Sequence, residues 1–283
     1  MATSSSVFIT GASAGIGEAC ALRLDKEGWR VFAGVRRPQD GEALRAKASD
    51  RLHPVQVDVT DAGQIAGAVA AISEAVGGSG LQALVNNAGV GVGGPLEFLP
   101  LDEFRMQFEV NVFGVMSVTQ ACMPLIRKGK GRIVMIGSVS GRLPTPFAGP
   151  YAASKFAVEA LSDALRGELR PWGLHVILIE PGGVRTPIWE KSRQMSARLK
   201  ERMPKEAFDL YGPVIKKIDQ VINMSERMGV PPDRVARIVS KALAARRPKT
   251  RYLVARLART QAFIGDYVPD RLRDWILERL LVL

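Results

Sequence analysis

Cysteine and histidine are scarce in this sequence, which has two of each among 283 residues. Cys20 and Cys122 lie far apart, and no histidine stands near them in the spacing of a metal motif. We therefore expect no disulfide framework and no metal site. The two thiols are predicted to be buried in a protein of a reducing compartment.

Long apolar runs are missing as well. No run of about 18 apolar residues is present, so we expect no membrane-spanning helix. The first residues, MATSSSVFITGAS, lack a basic region followed by a long apolar stretch, so we expect no secretory signal. The composition, 47% hydrophobic and 24% charged, is ordinary for a soluble globular protein. A cytoplasmic protein follows as the expectation.

Acidic residues nearly balance basic ones except in the last third of the chain. Residues 1–189 contain 18 basic and 17 acidic side chains, whereas residues 190–283 contain 21 and 11. A basic segment can meet anionic lipid, nucleic acid or an acidic partner, or it can present solvated helix faces. The charges are interspersed with apolar residues, which favours solvated faces. No nucleic-acid-binding signature is present, so we expect no nucleic acid, while peripheral membrane contact stays open.

The first two-thirds of the chain alternates short apolar runs with helical patterns. Strands are predicted at 6–10, 30–35, 53–59, 81–89, 131–138 and 175–183, and helices at 15–24, 62–76, 102–128 and 151–170, with Asp102 as an N-cap. Continuously apolar strands that alternate with helices indicate a parallel sheet covered on both faces. The predicted fold is therefore α/β, a doubly wound Rossmann-like sheet.

The pattern changes after residue 187. Residues 188–228 are helical, amphipathic and rich in Met, Lys and Arg, and a further helix is predicted at 233–245. A last strand is predicted at 251–255, and an amphipathic helix at 270–283 with apolar positions 272, 275, 276, 280 and 283. We expect one domain, 1–283, made of a core (1–187), a substrate cover (188–228) and C-terminal helices with the last strand (229–283).

Three glycines, Gly11, Gly15 and Gly17, stand between the first strand and the first helix. Glycine lets the backbone turn sharply and approach a pyrophosphate, and a helix N-terminus offers free N–H groups. The position after the first strand predicts a nucleotide site. Tight packing of the strand on the helix is the alternative.

Tyr151 and Lys155 are four residues apart in a predicted helix, so their side chains share one face. A lysine ammonium near a phenol lowers the phenol's pKa from about 10, which would let the tyrosine donate and accept protons near neutral pH. Ser138 stands thirteen residues earlier, at a predicted strand end. The spacing by itself usually marks a solvated helix face.

Together with NNAG at 86–89, Asn111, PGG at 181–183 and Thr186, these motifs resemble the short-chain dehydrogenase/reductase family over about residues 4–190. The resemblance implies a Rossmann fold, a nicotinamide cofactor and hydride transfer between an alcohol and a carbonyl. The segment VFAGVR and the extended basic C-terminus are similar to the branch that contains hydroxysteroid and retinol dehydrogenases.

The resemblance also implies roles for single residues. Ser138 would hydrogen-bond the substrate oxygen, Tyr151 would exchange its proton, and Lys155 would lower the tyrosine pKa and hold the nicotinamide ribose. Asn111 would distort its helix and hold a water in a proton relay, although a solvent-facing polar residue is the simpler interpretation. The implied cofactor contacts are Gly11, Ser13, Gly15, Ile16, Gly17, Arg36, Asp58, Val59, Asn87, Ala88, Gly89, Tyr151, Lys155, Pro181, Gly182, Val184 and Thr186. For Asp58, capping of a turn before Thr60 is an equal alternative.

The choice of cofactor depends on the end of the second strand. Sites that prefer NAD usually carry an acidic residue there for the ribose 2′-OH, but this chain has Val35 followed by Arg36 and Arg37. A guanidinium suits a 2′-phosphate, so we expect NADP(H) in preference to NAD(H). An exposed arginine pair in a polar loop is the alternative.

The substrate is expected to be a lipophilic, steroid-like or retinoid-like alcohol or ketone. The apolar, Met-containing segment after Thr186 suits a bulky apolar ligand, although a plain packing face is as typical. The predicted substrate contacts are Leu143, Phe147 and Trp189. The resemblance implies a homodimer or homotetramer built through 102–128 and 151–170. A non-catalytic nucleotide sensor and a membrane-associated binder are the other functions considered.

Overall fold

A computed structural model describes residues 5–281 of the chain. Its centre is a parallel sheet in the order β3-β2-β1-β4-β5-β6-β7. The strands are β1 Ser6–Ile9, β2 Arg30–Val35, β3 Leu52–Gln56, β4 Ala83–Asn86, β5 Arg132–Ile136, β6 His175–Pro181 and β7 Arg251–Val254. The order reverses between β1 and β4, which opens a crevice at the carboxyl ends of these strands. The predicted Rossmann fold is confirmed.

Helices cover both faces of the sheet. They are α1 Gly15–Lys26, α2 Pro38–Arg45, α3 Ala62–Val76, α4 Leu101–Phe108, α5 Gly114–Gly129, α6 Gly149–Leu169, α7 Ile188–Arg202, α8 Lys205–Met228, α9 Pro232–Ala244, α10 Arg256–Tyr267 and α11 Asp270–Leu281. Successive strand residues point to opposite faces, so Phe8 belongs to the same apolar cluster as Ile72 of α3, whereas Val7 and Ile9 belong to a second cluster with Val235 of α9. Both faces are therefore apolar, as the uninterrupted strand runs indicate.

One helix was not predicted, and one predicted helix cap is wrong. Helix α2 was not predicted, because its sequence PQDGEALR contains proline and glycine and buries only Gly41 and Leu44. Asp102 does not cap a helix: α4 begins at Leu101, immediately after Pro100. The Asp102 carboxylate instead accepts a hydrogen bond from Arg202 of α7 at 2.8 Å.

The predicted helix over 102–128 is interrupted. A single π turn, Glu109–Phe113, separates α4 from α5. Within the described residues, the combined segment Leu101–Gly129 is long and apolar enough to cross a membrane by length and composition, although no spanning helix was predicted. Half of its apolar window is buried inside the fold, as in core helices of soluble proteins.

The C-terminal region adds β7 to the sheet edge and contains one helix, α10, that was not predicted. Gly265 of α10 packs so closely on the segment after β5 that a Cβ atom there would overlap the Arg142 carbonyl oxygen. Leu272 and Trp275, from the predicted apolar face of the last helix, are about half exposed. The side chain of Leu280 and residue Leu283, also predicted on that face, lie outside the described residues.

Candidate active site

Ser138, Tyr151 and Lys155 meet at the carboxyl end of β5. Ser138 follows the strand by two residues, and its Oγ accepts a hydrogen bond from the Ser140 backbone N–H at 3.1 Å. Tyr151 and Lys155 lie one turn apart on α6, and the Ser138 side chain interacts with the Tyr151 phenol. The Lys155 Nζ donates to the Ile136 carbonyl oxygen at 2.9 Å and lies 5.7 Å from the centre of the Tyr151 ring. The predicted grouping of these three side chains is present.

Burial dominates the proton affinities of this group. It raises the pKa of the Tyr151 phenol, and the interaction with Ser138 opposes that rise. It lowers the pKa of Lys155 to about 8, and the Glu159 carboxylate opposes that fall. The expected lowering of the Tyr151 pKa is therefore wrong: burial raises it. The physical reason is that burial outweighs the other effects, while the ammonium is held by the Ile136 carbonyl.

Asn111 lies in the π turn and is buried, so the solvent-facing interpretation is wrong. Its Oδ1 accepts from the Val90 N–H at 2.9 Å, and its Nδ2 donates to the Val90 carbonyl at 3.0 Å and to Ser154 Oγ at 3.1 Å. Ser154 Oγ in turn donates to the Tyr151 carbonyl at 2.8 Å. Asn111 thus ties the segment after β4 to the first turn of α6. The helix distortion that the resemblance implied is present.

Gln107 completes this attachment, and the sequence analysis missed it. It is fully buried in α4, accepts from the Val92 N–H at 2.7 Å and donates to the Val90 carbonyl at 2.8 Å. Gln107 and Asn111 are four residues apart, so they share one face of the helix. A pair of amides on an otherwise apolar helix face was the available signal.

The glycine loop leaves space for a phosphate group. Gly11 and Gly15 have φ values of +64° and +62°, which favour glycine, and a Cβ on Gly17 would overlap the Gly11 carbonyl. Helix α1 begins at Gly15 after Ala14, which provides no side-chain cap. Its first N–H groups therefore face the crevice without a side-chain acceptor, and this arrangement fits the pyrophosphate of a dinucleotide.

Asn87 supports the loop from β4. Its Nδ2 donates to the carbonyls of Thr10 at 2.9 Å and Gly11 at 3.0 Å. The backbone N–H groups of Asn87 and Ala88 both donate to Thr10 Oγ1, at 2.9 and 3.0 Å. Asn87 therefore holds the loop in shape.

The remaining predicted cofactor residues border the same crevice or follow its strands. Ser13 belongs to the glycine loop, and Ile16 belongs to the first turn of α1. Gly89 lies close to Asn111, since a Cβ atom built on Gly89 would be 3.3 Å from the Asn111 Oδ1. Thr186 lies close to Gly15, since a Cβ atom built on Gly15 would be 3.1 Å from the Thr186 side chain. Asp58 accepts from both the N–H (3.0 Å) and the hydroxyl (2.8 Å) of Thr60, so its turn-capping alternative is observed. The others follow β3 or lie at the end of β6: Val59, Pro181, Gly182 and Val184.

Two arginines follow β2 and differ in their partners. Arg37 donates to the Asp40 carboxylate at 2.8 and 3.0 Å, whereas no acceptor within residues 5–281 contacts the Arg36 guanidinium. Both side chains are exposed. Arg36 is the cation of this pair that can meet an added phosphate.

An apolar cavity lies between the segment after β4 and helices α7 and α8. Its lining includes Phe147, Leu199, Met203, Ile215 and Ile218. Leu143 and Trp189 are not among the lining residues. Leu143 is buried, and Trp189 Nε1 donates to the Val184 carbonyl at 2.7 Å. Of the three predicted substrate contacts, the structure places Phe147 on the cavity.

The motifs, their order along the chain and this geometry agree with one protein family, and a family model described as short chain dehydrogenase matches residues 5–197. The chain belongs to the short-chain dehydrogenase family. It is accordingly an NAD(P)-dependent oxidoreductase with a Rossmann fold.

Relatives of this short-chain dehydrogenase are similar over almost their whole length. The NADPH-dependent 3-dehydrocapnine reductase of Ornithobacterium rhinotracheale is 37% identical, with 95% of this chain and 94% of the relative covered. Retinol dehydrogenase 5 of Mus musculus is 38% identical (96% and 89%), and 17-beta-hydroxysteroid dehydrogenase type 6 of Bos taurus is 37% identical (96% and 87%). The predicted similarity to the hydroxysteroid and retinol dehydrogenase branch is confirmed.

Proposed function

We propose that this short-chain dehydrogenase interconverts a secondary alcohol and the corresponding ketone on a lipophilic body, with Tyr151 as general acid and base and NADP(H) as cofactor. The observation that carries the proposal is the meeting of the Ser138 and Tyr151 hydroxyls beside the glycine loop, with Lys155 buried next to them.

Side chains of the protein itself transfer the proton to and from the substrate oxygen. The side chains of Ser138 and Tyr151 interact, and their hydroxyls would bind one substrate oxygen together. Tyr151 gives that oxygen a proton during reduction and removes one during oxidation. The Lys155 ammonium favours the phenolate when it is charged, and its hydrogen bond to Ile136 fixes its position. Asn111 and Ser154 hold the start of α6, and therefore Tyr151, in place.

The proposed cofactor site lies along the carboxyl ends of the strands. A nicotinamide cofactor, when bound, supplies or accepts the hydride. The first N–H groups of α1 and the loop from Gly11 to Gly17 would hold its pyrophosphate, Arg36 its 2′-phosphate, and Thr186 its carboxamide. A relative whose name states NADPH dependence supports the choice of NADP(H).

The substrate class is proposed from the cavity and the relatives. The cavity walls are mostly apolar, and α7 and α8 provide Leu199, Met203, Ile215 and Ile218 to them. Residues 188–228 thus act as the substrate cover. Relatives named for retinol and for a hydroxysteroid support a lipophilic ligand.

A panel of steroid, retinoid, long-chain and small polar alcohols and ketones tests the proposal, with NADPH absorbance as the readout. Tyr151→Phe should lose about 100-fold or more in kcat/KM. Tyr252→Phe is the matched control, because that hydroxyl accepts a hydrogen bond from the Lys249 backbone N–H on the edge strand β7 and its loss should leave turnover nearly unchanged. Retained turnover in Tyr151→Phe would contradict the proposed mechanism. Turnover of small sugars or hydroxy acids alone would contradict the proposed substrate class.

Large exposed apolar side chains support a homo-oligomer. Phe113, Phe156 and Trp172, at the start of α5, on α6 and just after α6, are 56%, 42% and 59% exposed. We propose that these helices form the subunit contact. Phe156→Asp should convert the oligomer to monomers in light scattering, and an unchanged mass would contradict this contact.

A second exposed apolar set, Phe263, Tyr267 and Trp275, lies on α10 and α11 within the basic last third of the chain. We propose peripheral contact with anionic membranes through this face. Deleting residues 270–283 should abolish co-sedimentation with phosphatidylserine vesicles. If the deletion leaves co-sedimentation unchanged, these residues are not the contact.

A further inference from the structure

The helix turn after Lys155 carries a buried carboxyl group that the proposed mechanism does not use. Glu159 follows Lys155 by four residues on α6 and is 9% exposed. Its Oε2 accepts from Arg251 Nε of β7 at 3.2 Å. Its neighbour Glu180 on β6 is fully buried and accepts from two nitrogens of Arg142.

Glu159 lies against a second buried carboxyl group, Glu180. The charged side chains that face this cluster come from α6, β6, β7, α10 and the segment after β5, and they are Lys155, Glu159, Asp163, Arg166, Glu180, Arg251, Asp266 and Arg142. The cations equal the carboxyl groups in number, but Arg166 and Arg251 both bind Asp163, and Arg142 is shared by Glu180 and Asp266. Two neighbouring carboxylates in such a buried place repel each other, and one bound proton removes that repulsion.

An orphaned oxygen shows where that proton belongs. Glu159 Oε1 is buried and has no hydrogen-bond partner among the described residues. An ionised carboxylate can only accept, and the Glu180 carboxylate, which interacts with the Glu159 side chain, can offer it no donor. A proton on Glu159 would provide a donor for Glu180 and would satisfy the orphaned group.

We infer that Glu159 is a positioning residue for Lys155: it holds a proton at neutral pH and, by ionising in alkaline solution, keeps the lysine ammonium charged. The inference rests on the proposed role of Lys155 as a cation beside Tyr151. Burial and Glu180 raise the pKa of Glu159 to about 8 while Arg251 and Arg142 oppose them, and Lys155 has a pKa of about 8 that Glu159 raises. The two groups therefore titrate in one pH range, and the ionisation of one supports the charge of the other.

Glu159→Gln tests this link, because the amide keeps the shape and can still donate to Glu180. We expect the Lys155 pKa, and the alkaline limb of kcat/KM for ketone reduction, to move about one unit lower. Asp163→Asn is the matched control. Asp163 also binds Arg251, at 2.6 Å, but lies one turn further from Lys155, so its loss should not move the limb. Equal shifts in both variants would assign the effect to Arg251 and overturn the inference.

A direct titration separates this inference from the proposed reaction. The NMR resonance of the Lys155 13Cε atom reports the charge of the lysine, and it is assigned by its absence from the spectrum of Lys155→Arg. This titration needs neither substrate nor catalytic turnover. A lower Lys155 pKa in Glu159→Gln but not in Asp163→Asn supports the link even if every substrate fails. An unchanged Lys155 pKa overturns it, even if Tyr151 proves catalytic.

Discussion

Replacing Arg36 with alanine should weaken NADPH binding and leave NADH binding nearly unchanged. Arg36 follows β2 at the site where a 2′-phosphate would lie, and no acceptor within residues 5–281 contacts its guanidinium. Arg37, the next residue, is already paired with Asp40. The two adjacent arginines therefore provide a test and its control at nearly the same position.

The expected loss of NADPH affinity follows from the hydrogen bond between Arg36 and the 2′-phosphate that the substitution would remove. A hydrogen bond to a charged group contributes about 1.5–3 kcal/mol, which corresponds to about 10- to 150-fold in Kd. Because Arg36 is exposed, salt screens the contact, and the lower part of that range is expected at physiological ionic strength. Arg37→Ala removes an exposed ion pair worth about 0–1 kcal/mol, so its effect on NADPH should stay below about fivefold.

Fluorescence titration of each variant with NADPH and NADH, at low and at high salt, measures these effects. The ratio of the two Kd values should change in Arg36→Ala and not in Arg37→Ala, and the change should shrink as salt rises. An equal loss for both cofactors, or a tenfold catalytic preference of the unmodified enzyme for NAD⁺ over NADP⁺, would refute the reasoning.

Three further variants test the site and the core. Gly17→Ala should abolish cofactor binding in calorimetry, because its Cβ would lie 2.5 Å from Asn87 Nδ2; near-normal affinity would contradict the close approach. Leu84→Ala, fully buried in β4, should cost about 2–5 kcal/mol in urea unfolding, and a cost below about 1 kcal/mol would contradict its place in the core. As the pH rises from 5 to 8, the melting temperature should fall less for Glu159→Gln than for the unmodified protein. Calorimetric melting curves measure this difference. The folded-state pKa of Glu159 is raised from 4.5 to about 8, so its stabilising contribution is complete below pH 4.5 and is lost as the pH rises through 8. Parallel curves for the two proteins would contradict this.

The sheet was predictable because its inner strands are buried on both faces. Such strands are apolar without alternation, and each predicted run corresponds to a strand of the structure, including the partly buried edge strands β3 and β7. The residues grouped at the carboxyl edge followed from this topology, since parallel strands bring their ends together. Helix α2 lacks an apolar stripe, so its pattern gave no comparable signal.

The long-range polar contacts could not be predicted. A glutamate inside the apolar run HVILIEP indicates a buried partner, but only the fold shows that Arg142 is that partner. The π turn at Asn111 similarly depends on the segment after β4, whose Val90 backbone satisfies both ends of the amide. The Tyr151 pKa was misjudged because spacing shows which groups are near one another and does not show how much water burial removes.

The contact between α10 and the segment after Ser138 also sets an order of assembly. Arg142 binds Asp266, 124 residues further along the chain, and Gly265 packs against the Arg142 backbone. During synthesis, the glycine loop and the strands up to β6 leave the ribosome well before this wall of the catalytic segment exists. A segment that is translated after the sheet strands β1 to β6 therefore supports the catalytic segment, and we expect a nascent chain stalled before α10 to bind cofactor before it can turn over substrate.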